Sequence, residues 1–203
     1  MDTKEDRVCR FSIDVEAGGD NPHDRALLEI GISVVDDESQ CFEVMLKPDS
    51  SSLPYDRHAL RAIRRPISQF MEHGVDPVLG INATLDWIDE TRGDRKAIFV
   101  GVNMPYDWMF FKIYVARVRA ANTLPYQAYD ILSYGSGVYG LQLSGKGKNG
   151  FMDLLCKEPG DLISKYNLAL DQNRPHMAVD DAKYQARLLL ALEEVASRKV
   201  MRS

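Results

Sequence analysis

Cysteine is scarce and unpaired in this sequence. The three residues, Cys9, Cys41 and Cys156, are odd in number, widely spaced and never in a Cys-x-x-Cys pair. That pattern argues against a zinc knuckle and a disulfide frame and reads as free thiols in a reducing compartment, so a cytoplasmic location is expected. No apolar run approaches the roughly 18 residues of a membrane span. The segment Met1-Asp2-Thr3-Lys4-Glu5-Asp6 lacks the apolar core of a signal peptide. An excess of basic residues is also missing: 25 Lys and Arg face 30 Asp and Glu, a net charge of −5. A protein that coats a long duplex by bulk attraction is thereby disfavoured. Nucleic acid stays open as a partner, because an acidic metal site inflates the negative count while cations gather elsewhere.

What is present is a globular composition, 45% hydrophobic and 27% charged over 203 residues. It suits one domain over 1–203, with a core spanning about 8–196. The organising stretch is Phe11-Ser12-Ile13-Asp14-Val15-Glu16. It reads as the end of a buried strand, because apolar residues alternate and a Gly-Gly-Asp-Asn-Pro break follows. Residues two apart on a strand share a face, so Asp14 and Glu16 lie side by side. Such carboxylates repel, more so when buried, and a divalent cation relieves them. Solvated acids on an edge strand are the other reading.

Further along, 27–35 and 41–47 alternate apolar and polar residues and complete an antiparallel meander, with Asp36 to Gln40 as its polar turn. Residues 56–73 read as two helical pieces divided at Pro66. The first carries Arg57, His58, Arg61, Arg64 and Arg65, a solvated face or a set of phosphate contacts. Asn82 or Thr84 is expected to cap a helix that ends near Gly93. The run 97–102 is a short buried strand. Pro105 opens the helix after it, placing Asp107 at that helix's start, just past a strand, where sites collect in α/β sheets. Another short strand is expected over 126–131, with Asp130 at its end as a helix cap.

The glycine-rich segment 134–150 is expected to be an irregular loop, with Lys146 and Lys148 as backbone contacts. Gly135 to Gly140 spells GxGxxG without the strand and helix a dinucleotide site needs, and Gly140 to Gly147 is a near-miss to a phosphate loop. Short helical pieces follow at 151–155 and 161–166. The last helix runs from about Met177 to Arg198, with Ala178, Asp181, Ala182, Gln185, Ala186, Leu189 and Leu192 on one stripe. The small residues of that stripe let the helix approach the sheet, which drives Asp181 inward and leaves Asp180 wetter.

Four acids thus occupy sheet-facing or element-end positions, Asp14, Glu16, Asp107 and Asp181, with His176 five residues before the last. Three motifs hold them: Asp14-Val15-Glu16, Asn103-Met104-Pro105-Tyr106-Asp107 and His176-Met177-Ala178-Val179-Asp180-Asp181-Ala182. In this order, about 90 and about 70 residues apart, they resemble the DEDDh group of 3′–5′ exonucleases in the ribonuclease H-like superfamily. The DNA polymerase III proofreading exonuclease, ribonuclease T and oligoribonuclease belong to that group. The resemblance implies an α/β fold whose mixed five-stranded sheet, order 3-2-1-4-5, is flanked by helices. It implies two Mg²⁺ or Mn²⁺ ions held by Asp14, Glu16, Asp107 and Asp181, with His176 as the base. It implies hydrolysis at the 3′ end of single-stranded DNA or RNA, or of short oligonucleotides, releasing nucleoside 5′-monophosphates. Asn103, Tyr106 and Gly18 are the candidates for touching substrate. No membrane partner is expected, and a homodimer is open because several relatives dimerise. Two departures stand out: Ala17-Gly18-Gly19 replaces the commoner Thr-Gly after the first motif, and segment 134–150 is not a family signature. A silent nucleic-acid-binding module on the same fold and a nucleotide phosphohydrolase are the competing readings.

Overall fold

A computed structural model describes residues 8–48, 55–119, 124–141, 148–169 and 176–201. Strand β1 (Val8–Ala17) is the hub, antiparallel to β2 (Leu27–Val34) and parallel to β4 (Lys96–Gly101). Strand β3 (Asp37–Met45) pairs with β2, and β5 (Tyr129–Asp130) pairs with β4. The order is β3-β2-β1-β4-β5, as the resemblance implies. Helices α3 (Pro77–Arg92) and α4 (Met104–Val118) cover one face of the sheet, with Phe11, Ile13, Ile30, Ile32 and Phe99 beneath them. The other face carries α8 (Ala178–Val200), which packs with α5 (Ile131–Tyr139), α6 (Lys148–Leu155) and α7 (Leu162–Lys165).

Strand β2 alternates in sequence yet is buried along its whole length. Its Leu27, Ile30, Ile32 and Val34 join the cluster of α3 and α4, Leu28 packs with Ile63 and Phe70, and Glu29, Gly31 and Ser33 lie under α8. Gly31 makes that cover possible: a Cβ there would sit 2.1 Å from the Ala178 carbonyl carbon and from the Val179 nitrogen. The small-residue stripe of α8 is buried from Ala178 to Leu192 as expected, Asp181 with it, and Asp180 is exposed.

Several boundaries differ from the sequence reading. The expected polar turn over Asp36–Gln40 is only Val35 and Asp36; Asp37 already belongs to β3. An edge strand leaves side chains in water, so polar residues suit it without ending it. Helix α3 starts at Pro77, capped by Asp76, whose Oδ1 accepts from Val78 and Leu79. Asn82 and Thr84 are inside it and donate back to the Val78 and Gly80 carbonyls. The exposed Val78 and Leu79 hid that start from any apolar periodicity.

Where the expected loop over 134–150 is described it is largely helical instead: α5 runs to Tyr139 and α6 begins at Lys148. Within α5, Gly135 allows close packing, since a Cβ there would meet Phe151 at 2.7 Å, and Gly140 ends the helix at φ 61°. Of the three GxGxxG glycines, then, Gly135 serves packing and Gly140 ends the helix, while a Cβ at Gly137 would meet nothing. The Lys146 and Lys148 assignments fall outside the described residues, the latter by its side chain. The division at Pro66 is present: α1 (Arg57–Ile63) precedes it and α2 (Ile67–His73) follows. Among the described residues no helix is long and apolar enough to cross a membrane.

Candidate active site

Glu16 and Asp181 meet His176 where β1 ends, with Asp14 on the same face of β1 and Asp107 carried by α4. Alternate residues Arg10, Ser12, Asp14 and Glu16 share the face under α8, because Asp14 pairs with Gly31 and Glu16 with Glu29. Two residues of strand advance about 6.7 Å and four residues of helix about 6 Å, so strand and helix keep step. Their polar side chains match accordingly. Arg10 pairs with Glu193, Asp14 accepts from Gln185 Nε2 at 2.5 Å, and Glu16 lies beside Asp181. A polar row in a strand and a polar row in a helix, running in opposite directions, thus define the site's position.

Glu16 and Asp181 are buried, and His176 lies with them: one ligand atom from each of the three falls within 4.8 Å of the others. The His176 Nδ1 is 3.1 Å from Asp181 Oδ2 and 3.9 Å from Glu16 Oε1, and its ring is half exposed. Asp107 arrives from the opposite side. Pairing of β4 with β1 stops at Val100, α4 begins at Met104, and Asp107 Oδ1 accepts from the Val15 nitrogen at 2.9 Å. Asp107 and Asp181 both occupy first helical turns, where the helix dipole favours negative charge. Burial above all, then the Asp181, Glu29 and Asp107 carboxylates, push the Glu16 carboxyl up to about 8. That crowding suits hard divalent cations, which take oxygen ligands, so the residues fit a magnesium or manganese centre.

The candidate substrate residues are placed differently from one another. Asn103 is exposed, sits in the left-handed region at φ 58° and makes no side-chain cap bond. Tyr106 donates to the Gly19 carbonyl at 2.7 Å, which ties α4 to the loop after β1. Burial and the neighbouring carboxylates raise its pKa, so its hydroxyl remains a donor. Gly18 donates to the Ala26 carbonyl at 2.7 Å and accepts from the Asp56 nitrogen at 2.6 Å. Asp130 is a helix cap, bonded to the Ser133 nitrogen, and its second oxygen accepts from Met104 at the start of α4.

Sequence reasoning missed two features. Gln185 is 1% exposed; it donates to Asp14 and accepts from the Val102 nitrogen at 2.9 Å, so one amide ties α8 to β1 and to the chain after β4. Its place one turn after Asp181 on the buried stripe was the available signal. The second feature is Arg65, which is buried rather than on a solvated face. It bonds Glu29 at 2.6 Å and the His176 carbonyl at 3.3 Å, while Glu29 accepts from the Ala178 nitrogen at 3.1 Å. An acid amid the apolar run of β2 announced that some partner was needed. Cavities of about 510 and 280 Å³ lie elsewhere and contain none of the five candidate residues, so charge convergence rather than cavity size locates the site.

No family model matches the chain. The 3′-5′ DNA exonuclease Cap18 of Escherichia coli is 26% identical over 196 residues, 96% of this chain and 96% of that protein. Among solved structures, the nuclease domain of 3′hExo, a DEDDh family member bound to rAMP, matches with a TM-score of 0.64 at 16% identity, covering 96% of this chain and 95% of that one. Pop2p of S. pombe, in its Mg²⁺- and Mn²⁺-bound form, matches at 0.61 and 14%, covering 96% and 85%. E. coli exonuclease I in complex with a dT13 oligonucleotide matches at 0.66 and 16%; 97% of this chain covers 43% of that one. At these identities the solved structures establish a shared fold. Sequence relative and fold neighbours agree with the DEDDh-type 3′–5′ exonuclease resemblance that the three motifs carry.

Proposed function

We propose that this chain, similar to DEDDh-type 3′–5′ exonucleases in sequence and in fold, is a metal-dependent 3′–5′ exonuclease of one domain. It hydrolyses the terminal phosphodiester bond of single-stranded nucleic acid or short oligonucleotides and releases nucleoside 5′-monophosphates. The observation that carries this reading is the meeting of Glu16, Asp181 and His176 within 4.8 Å beneath the first turn of α8.

Asp14, Glu16, Asp107 and Asp181 would hold two Mg²⁺ or Mn²⁺ ions. When bound, such a pair lowers the pKa of water and stabilises charge on both the attacking and leaving oxygens. Asp107 is held toward β1 by the Val15 amide, and Gln185 fixes the Asp14 oxygen it donates to, so these acids are oriented before any ligand arrives. His176 takes the proton of the attacking water. Its ring is half exposed on a segment before α8, so it reaches solvent while its backbone is anchored to Ile63 and Arg65. Tyr106 and Gly18 shape the loop beside the terminal nucleotide, and Asn103 is exposed at the mouth.

Incubation of a 5′-labelled oligonucleotide with Mn²⁺ tests the reading: a ladder of products shortened from the 3′ end is expected. Binding without any shortening would favour a silent binding module. Hydrolysis confined to free nucleotides would favour a phosphohydrolase.

A further inference from the structure

The arginine cluster of the first helical region divides in the fold. Arg65 turns inward to Glu29, while Arg57, Arg61 and Arg64 are exposed. Arg57 and Arg61 are one helical turn apart and share a face of α1. Among the described residues neither makes a salt bridge, although the chain has 30 acids to 25 bases. Two like charges one turn apart repel, and an anion laid along the helix would relieve them.

The position of α1 says where that anion runs. At its start, the Asp56 nitrogen donates to Gly18, in the loop that follows Asp14 and Glu16. At its end, the Ile63 carbonyl accepts from the His176 nitrogen at 3.1 Å. The helix is about 10 Å long and joins the two segments that frame the carboxylates. Tyr55, just before it, is exposed as well.

We propose that the exposed face of α1 is a phosphate track for the nucleotides preceding the 3′ end. This deepens the exonuclease reading and rests on it. Arg57 and Arg61 hold backbone phosphates through paired guanidinium N–H groups, which read charge and not sequence. The track explains how a net-acidic protein takes a polyanion: two exposed cations share one helix beside the acidic centre.

Equilibrium binding separates the track from the chemistry. A fluorescein-labelled thymidylate strand of about 20 nucleotides is titrated in EDTA at several salt concentrations. In the double variant Arg57→Ala/Arg61→Ala, affinity at low salt is expected to fall about tenfold. The slope of log K against log salt should drop by about 1.4, two cations at about 0.7 each. Arg57→Lys/Arg61→Lys keeps the charges and should recover the slope, which guards against a folding defect in the alanine variant. An unchanged slope in the alanine variant overturns the track, as does an equal loss in the lysine variant. Failure of the wild type to shorten the strand in Mn²⁺, with the slope change intact, would sink the exonuclease reading and leave the track standing.

Discussion

Glu16 and Glu29 face each other across β1 and β2, both buried, yet their surroundings are opposite. Glu29 has the Arg65 guanidinium at 2.6 Å and the Ala178 N–H at 3.1 Å. Glu16 instead meets Asp181, Asp107 and Glu29 itself, and holds its proton up to about 8. Like charges opposite one another destabilise a sheet. One glutamate has its cation supplied by the chain, which makes it a structural tie under α8. The other has carboxylates and a histidine, which leaves room for a cation from solution. Burial of an acid therefore does not mark function by itself; the missing counter-charge does.

His176 touches both regions, its carbonyl on Arg65 and its ring between Glu16 and Asp181, so it gives the largest expected effect. His176→Ala should lower kcat about 10²–10⁴-fold. Mn²⁺ affinity by calorimetry should change far less; a parallel collapse of both would make it a ligand and not a base.

Removing the chain's own cation comes next. Arg65→Met leaves Glu29 buried and uncompensated and should cost about 3–5 kcal/mol in denaturant unfolding. The double variant Arg65→Met/Glu29→Met should recover most of that loss. Simple additivity of the two single losses would show that the pair is not a unit.

On the Glu16 side the expected signature is a pH slope. The folded carboxyl keeps its proton up to about 8, against an ordinary value of 4.5, so between them the native state binds more protons than the unfolded one. Stability of the metal-free protein should therefore fall as pH rises through that window, by about 1–3 kcal/mol once water in the site screens the repulsion. Glu16→Gln should flatten the curve, and added Mn²⁺ should stabilise the protein most at the alkaline end. A flat curve for the metal-free wild type would remove the crowding argument.

The smallest effect concerns Gln185. Gln185→Leu leaves the Val102 N–H without its acceptor and removes the amide that donates to Asp14 Oδ1, and should cost about 1–2 kcal/mol. Activity should also fall, because Asp14 loses its orientation; unaltered kinetics would show that Asp14 is placed by other contacts.

Much of this was legible beforehand. The alternation in β1 and β2, the turn after Ala17 and the buried stripe of α8 placed Asp14, Glu16 and Asp181 on facing surfaces. The least legible parts were those where polar residues serve tertiary contacts. Asp37 to Gln40 look like a turn but extend an edge strand, and Gly135 looks like a loop signal but seats α5 against Phe151. Arg65 looks like a companion of Arg61, yet the left-handed residue Arg64 at φ 57° ends α1 before it. Local periodicity carries no record of that reversal.

The sequence by itself determined the order of elements and the acids at their ends, because period and punctuation are local properties of the chain. Only the tertiary structure decided which buried acid received an arginine and which did not. That choice depends on α8 crossing Gly31 closely enough to press Glu29 against Arg65 and Glu16 against Asp181. Such proximity is set by packing between residues about 150 positions apart, which no spacing along the chain encodes.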